Sequence, residues 1–250
     1  MAGHSHWARI KRKKAVIDAR RGRAWSKHSR AITMAARIGG GNADDNPRLR
    51  LAIEKAKADN MPRDTIDNAV KKGTGEGAGE NFEDVCYEGY GPGGVAVMAR
   101  ALTDNRNRTG GEIKKIFERA GGNLGSTNCV AFQFQQKGIV LVPADKASED
   151  RIMEIALEAG AEDVSTSADT HEVMTTPDQF EGVKSALSAA GIPIESSDLR
   201  MISSAPMNLD LETARKAMRL IETLEEHDDV DAVYSNVEIS DEVIAMLQKE

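Results

Sequence analysis

The sequence predicts an α+β protein in which an N-terminal all-helical domain is followed by two α/β sandwich domains, the last with a ferredoxin-like β-α-β-β-α-β order. Three observations lead there. Apolar residues within 1–72 recur at helical spacing between capping residues. The run GTGEGAGE at 73–80 has four glycines in eight residues and nothing to bury, as a flexible linker does. Beyond it, strand-like and helix-like runs alternate. The expected domains are a basic helical domain at 1–72, the linker at 73–80, a discontinuous α/β domain of 81–135 plus 207–250, and an inserted ferredoxin-like domain at 136–206.

Within the helical domain the segment around 20–37 carries Trp25, Ile32 and Ala36 on one face, within an arc of about 40° at about 100° per residue. Arg20, Arg23, Lys27, Arg30 and Arg37 fall on a different arc of about 100°, forming a basic stripe. Such a helix docks its apolar side and shows its basic side. Gly39, Gly40 and Gly41 end it, and Asn46-Pro47 opens the next helix in cap-then-proline order. There Leu49, Ala52, Ile53 and Ala56 repeat at i, i+3, i+4 and i+7. A shorter helix follows from Pro62 to about Lys72, with Ile66, Ala69 and Val70 inward.

Strands at 82–88 and 95–102 enclose the glycine-rich loop Gly89-Tyr90-Gly91-Pro92-Gly93-Gly94, which reads as a hairpin. The loop joins two strands and opens no helix, which argues against a phosphate cradle. A helix then runs to about Ala120. From Val130 to Val142 the chain reads as strand, interrupted at Gln135, Gln136, Lys137 and Gly138. Helices at 148–159 and 179–190, a strand pair near 164–167 and 171–175, and a strand at 193–202 complete the inserted unit. The helix from about Leu209 to Glu226 and the alternating run Asp231 to Ser240 are expected to return and complete the sandwich begun at 82–134.

Charge sets the function classes. The 250 residues carry a net charge of -7, yet residues 1–40 hold eleven Lys and Arg against the single acid Asp18, a local charge of +10. Residues 1–72 sum to +11 and the remaining 178 to -18. A basic head on an acidic body meets a polyanion in one orientation, because the body is repelled by what the head attracts. No run of about 18 apolar residues is present to span a membrane, and no apolar signal segment opens the chain. Two cysteines, Cys86 and Cys129, are too few and too far apart for a disulfide framework or a zinc ribbon. A reducing cytoplasm and a monomer are the expectation.

The candidate nucleic-acid-binding residues are Arg9, Lys11, Arg12, Lys13, Lys14, Arg20, Arg23, Lys27, Arg30 and Arg37; the last five form the stripe, residues 9–14 place charge all round a helix and are expected to order on a polyanion, and both sets can neutralise phosphates. Trp7 is available for stacking, whereas Trp25 is assigned to the core. Arg106 and Arg108 flank a helix N-terminus and form a candidate anion or RNA contact. No catalytic constellation, metal set or cofactor motif emerges: His171, His227, Cys86 and Cys129 lie in no ligand spacing. The partner is therefore nucleic acid.

The runs Gly3-His4-Ser5-His6-Trp7, Tyr87-Glu88-Gly89-Tyr90-Gly91-Pro92-Gly93-Gly94 and Leu102-Thr103-Asp104-Asn105-Arg106-Asn107-Arg108-Thr109 together resemble the YebC family, over essentially the whole chain. The resemblance implies three domains, the first helical, and a cytoplasmic transcriptional regulator that binds DNA. It also implies an alternative in translation, since the family includes a mitochondrial translational activator and members linked to relieving ribosomes stalled on proline runs; rRNA would then be the partner. Two departures stand out. His6 replaces the usual Lys, and Gly125-Ser126-Thr127-Asn128-Cys129-Val130 differs from the shorter turn expected there, leaving Cys129 with no role implied.

Overall fold

The computed structural model describes residues 19–75, 82–167 and 169–238, with side chains in the first helix described from Ala24 onward. Two compact units emerge, one of residues 19–131 with 215–233 and the other of 132–214 with 234–238. Most of the glycine-rich run at 73–80 lies outside the described residues.

The first unit opens with three helices, α1 (Ala19–Gly39), α2 (Pro47–Ala58) and α3 (Arg63–Gly73). Their apolar faces meet in one cluster of Ile32, Ala35, Ala36, Leu49, Ala56, Met61, Ile66 and Ala69, with Trp25 packed against it. Complete burial of Ile32 and Leu49 contributes about 1.5–3 kcal/mol each. Asn46 joins two helix ends: its Oδ1 accepts from Leu49 N at 3.1 Å, while its Nδ2 donates to Ala35 O and Gly40 O at 2.9 Å each. One side chain thus satisfies an orphan amide at the start of α2 and an orphan carbonyl at the end of α1. Gly40 takes φ +84°, the left-handed conformation that ends α1 at low cost. Gly73 is required by proximity, since a Cβ there would lie 2.6 Å from Ala36 Cβ.

The unit continues with β1 (Glu83–Tyr90), β2 (Ala96–Thr103), α4 (Arg106–Arg119) and β3 (Asn123–Leu124), and ends with the C-terminal part of α7 (Leu211–Glu226) and β9 (Val230–Ser235). The sheet order is β3-β1-β2-β9. The late strand therefore pairs beside β2, and the Arg100 guanidinium of β2 forms an ion pair with Asp231 of β9. Between β1 and β2, Pro92–Gly94 makes one 3-10 turn in which Gly94 N donates to Gly91 O at 3.1 Å, and Gly91 N donates to Val95 O at 2.7 Å to close the loop, with φ +75° and +81° at Gly93 and Gly94. That is the hairpin expected from the glycines.

The second unit contains β4 (Phe134–Pro143), α5 (Glu149–Glu158), β5 (Asp163–Ser167), β6 (Thr170–Thr175), α6 (Phe180–Ala189) and β7 (Ser196–Ser203). Its sheet order is β5-β6-β4-β7, with every neighbouring pair antiparallel. This is the ferredoxin-like arrangement. The expected interruption at Gln135 to Gly138 does not exist. β4 runs unbroken because Gln135, Gln136 and Lys137 pair with Ile202, Met201 and Arg200 of β7, and a backbone ladder needs no apolar side chains. Gly138 is there for packing, since a Cβ would lie 2.9 Å from Phe180 Cβ. In the same unit β8 (Met207–Asn208) pairs in parallel with β10 (Val237–Glu238). No helix among the described residues is long and apolar enough to cross a membrane.

Candidate nucleic-acid interface

Arg9, Lys11, Arg12, Lys13, Lys14 and Trp7 lie outside the described residues, and so do the side chains of Arg20 and Arg23, whose backbone belongs to α1. Arg37 is exposed in the last turn of α1. Lys27 and Arg30 are only half exposed, contrary to the expectation that the whole stripe faces solvent. Lys27 Nζ donates to Glu225 O at 2.5 Å, at the carbonyl end of α7, where the helix dipole favours a cation. Arg30 Nη1 donates to Asp228 O at 2.7 Å and Asp229 Oδ1 at 2.9 Å, and its guanidinium sits 5.6 Å from the Phe82 ring centroid. Trp25 donates from Nε1 to Asp59 O at 3.2 Å and rests on the helical core, as assigned from sequence.

Arg106 and Arg108 do flank the N-terminus of α4. Its cap is Asn105, whose Oδ1 accepts from Arg108 N at 3.0 Å. Arg106 is exposed, and its backbone oxygen accepts from Tyr87 Oη at 3.1 Å. Arg108 Nη2 donates to Asp104 Oδ1 at 2.9 Å and to Asp229 Oδ2 at 2.7 Å. The anion held beside this helix start is thus a carboxylate of the same chain.

Asp229 is the centre that sequence reasoning missed. Its side chain is 5% exposed, and its Oδ2 also accepts from Thr109 Oγ1 at 2.7 Å and Thr103 Oγ1 at 3.3 Å. Burial raises the carboxyl, but hydrogen bonds from Thr109 and Arg108 and the charges of Arg30 and Arg108 together hold it below the ordinary carboxylate value. Its backbone oxygen accepts from Leu102 N at 2.8 Å, and its amide donates to His227 Nδ1 at 3.1 Å. A ring nitrogen that accepts there leaves the proton on Nε2, which faces Glu112 Oε2 at 3.0 Å. The run Leu102 to Thr109 therefore builds a socket for a residue 120 positions away. One Asp among the four acids of 225–229 carries no sequence signal of this.

The glycine- and tyrosine-rich run has a comparable internal role. Glu88 is buried and accepts from the amides of Asn128 at 2.8 Å, Val130 at 3.0 Å and Ala131 at 2.8 Å. Tyr90 Oη donates to Cys129 O at 3.0 Å. The segment 125–130 is thus held by β1 through its backbone, which gives the Cys129 carbonyl a structural part. His171 is buried, with Nδ1 2.8 Å from Thr166 Oγ1 and Nε2 3.0 Å from Ala147 O, an arrangement that satisfies both nitrogens within the fold. Among the described residues no group of three His, Cys, Asp or Glu is placed to hold a metal ion.

Comparison with known proteins agrees with this architecture. Residues 5–76 match the TACO1/YebC protein N-terminal domain, and residues 82–237 match the TACO1/YebC second and third domain. A probable transcriptional regulatory protein of Rubrobacter xylanophilus is 52% identical, covering 98% of each chain. One from Aquifex aeolicus is 51% identical over the same shares. The crystal structure of a conserved hypothetical protein from Aquifex aeolicus superposes with a TM-score of 0.84 at 49% identity, covering 94% of this chain and 98% of that one. With matches that span nearly its whole length, this chain belongs to the TACO1/YebC family.

Proposed function

We propose that the protein is a non-enzymatic regulator of gene expression that binds DNA through the phosphate backbone, using the basic N-terminal region as its contact surface. The observation that carries this reading is the charge division: +11 over residues 1–72 against -18 over the rest. Its relatives' description as probable transcriptional regulatory proteins supports the same reading. The contact set is Arg9, Lys11, Arg12, Lys13, Lys14, Arg20, Arg23 and Arg37, with Lys27 and Arg30 held at the margin by their acceptors on 225–229. Phosphate contacts give affinity without base preference, so rRNA competes as a target for the same cations. A regulator working at the chromosome or ribosome in this way acts in the cytoplasm as a soluble monomer, with no membrane partner and no cofactor.

The test is a salt titration of binding to a labelled 20-base-pair duplex of mixed sequence, with a single-stranded RNA of equal length alongside. If about six cations each neutralise one phosphate, log affinity falls against log salt with a slope of about -5 on the duplex and about -4 on the single strand. Replacing Arg20, Arg23 and Arg37 together by Gln flattens that slope by about two to three units. A folded variant with an unchanged slope would remove α1 from the interface. Tighter binding to RNA than to DNA at equal salt would turn the reading toward the ribosome.

A further inference from the structure

We infer that the acidic turn Glu225-Glu226-His227-Asp228-Asp229 is an internal stand-in for phosphate, which occupies Lys27 and Arg30 and must be exchanged for nucleic acid before the full α1 stripe can bind. The inference rests on the nucleic-acid reading above and adds a conformational step to it.

The contacts have the chemistry of a phosphate site. Arg30 directs one guanidinium nitrogen at two oxygens, Asp228 O and Asp229 Oδ1, at 2.7 and 2.9 Å. Lys27 reaches a third, Glu225 O, at 2.5 Å. Four of the five residues 225–229 carry carboxylates. On α1 the two cations share the arc of Arg20, Arg23 and Arg37, so a strand of phosphates following that arc meets them in sequence. The Arg30 side chain is 26% exposed, which leaves an edge open to an incoming phosphate.

The exchange is also affordable for the turn. Asp229 Oδ2 keeps Thr103, Thr109 and Arg108 when Arg30 departs, so the buried carboxylate retains a cation and two hydroxyl donors. Lys27 leaves a helix-end carbonyl that water can satisfy. The α7–β9 turn therefore stays in place while its two ligands on α1 are released, and phosphate competes with two neutral backbone carbonyls and one carboxylate oxygen. The latch sets a threshold: short or weakly charged ligands meet the stripe without Lys27 and Arg30, whereas a long polyanion recruits both.

The experiment uses the full chain and the labelled 20-base-pair duplex, with circular dichroism and thermal midpoints as folding controls. Arg30→Gln is expected to flatten the salt slope by about one unit, because one counterion-releasing contact is lost. The double variant Glu226→Gln, Asp228→Asn removes exposed acids without touching the Asp229 side chain, and is expected to tighten binding about fivefold with the slope unchanged. Arg30→Lys keeps the charge but loses the planar fork; it is expected to bind the duplex at least as tightly as wild type. If Arg30→Gln leaves the slope at its wild-type value, or the Glu226→Gln, Asp228→Asn variant binds no more tightly than wild type, while the Arg20, Arg23, Arg37 variant still flattens the slope, the latch is wrong and the nucleic-acid reading stands. If the wild-type chain binds neither duplex nor single strand at low salt, the reading itself fails and the latch with it.

Discussion

Replacing Asp229 by Asn tests the socket built by the run Leu102 to Thr109. The carboxylate accepts from Arg30 on Oδ1 and from Arg108, Thr109 and Thr103 on Oδ2. An Asn side chain keeps one accepting oxygen. If that oxygen takes the Oδ2 position, Nδ2 faces the Arg30 nitrogen 2.9 Å away, donor against donor. The charge that both arginines face is also gone. Breaking a buried ion pair costs about 3–5 kcal/mol, and losing one hydrogen bond to a charged group about 1.5–3 kcal/mol. Arg30 can turn toward water, so the overlap of these ranges, about 3 kcal/mol, is the expected loss. For a chain of this size that lowers the thermal midpoint by roughly 6–12 °C. The assay is urea and thermal unfolding by circular dichroism at pH 7 and again near pH 3. The folded-state pKa of Asp229 lies below the ordinary 3.8, so its stabilisation is complete above about pH 4 and is lost as pH falls through the folded value. The gap between wild type and variant should therefore narrow in acid. A variant within about 0.5 kcal/mol of wild type at pH 7, or a gap of equal size at both pH values, would refute the account.

Three further outcomes follow from the same geometry. Glu88→Gln should speed hydrogen exchange at the amides of Asn128, Val130 and Ala131 by at least about tenfold, since one of the two accepting oxygens becomes a donor; unchanged exchange there would show that the loop holds itself. Gly138→Ala should destabilise the ferredoxin-like unit by about 1–3 kcal/mol, because its Cβ meets Phe180 and Thr175, and a neutral result in urea titration would contradict the packing. Cys86 is exposed as a residue, yet partial burial of the thiol first, then the charges of Glu88 and Asp84, push its pKa up to about 11. At pH 8 its alkylation, mapped by mass spectrometry, should be slow in the folded protein and fast in urea; equal rates in both would sink that assignment.

Much of the fold was legible because it depends on neighbours in sequence. Spacing of Leu49, Ile53 and Ala56, the Asn46-Pro47 cap and the glycine stop at Gly40 are decided within a few residues, so helix limits follow from local rules. The β-α-β-β-α-β order was likewise readable from alternating runs. The continuity of β4 was not, since Gln135, Gln136 and Lys137 look like a break until β7 supplies their backbone partners.

Charge division, the basic stripe on α1 and the helix and strand order are readable without coordinates, because they are properties of composition and periodicity, and the family resemblance is readable from the specific runs 3–7, 87–94 and 102–109. Only the tertiary structure decided what the signature residues do. Arg108 and Thr109 meet Asp229 across 120 residues of chain, and Glu88 meets amides 40 residues away, contacts that no local spacing encodes. The same holds for Lys27 and Arg30. Helical arithmetic placed them on the polar face, but whether a polar face meets water or an acidic turn depends on which distant segment packs there, and Glu225 to Asp229 packs there.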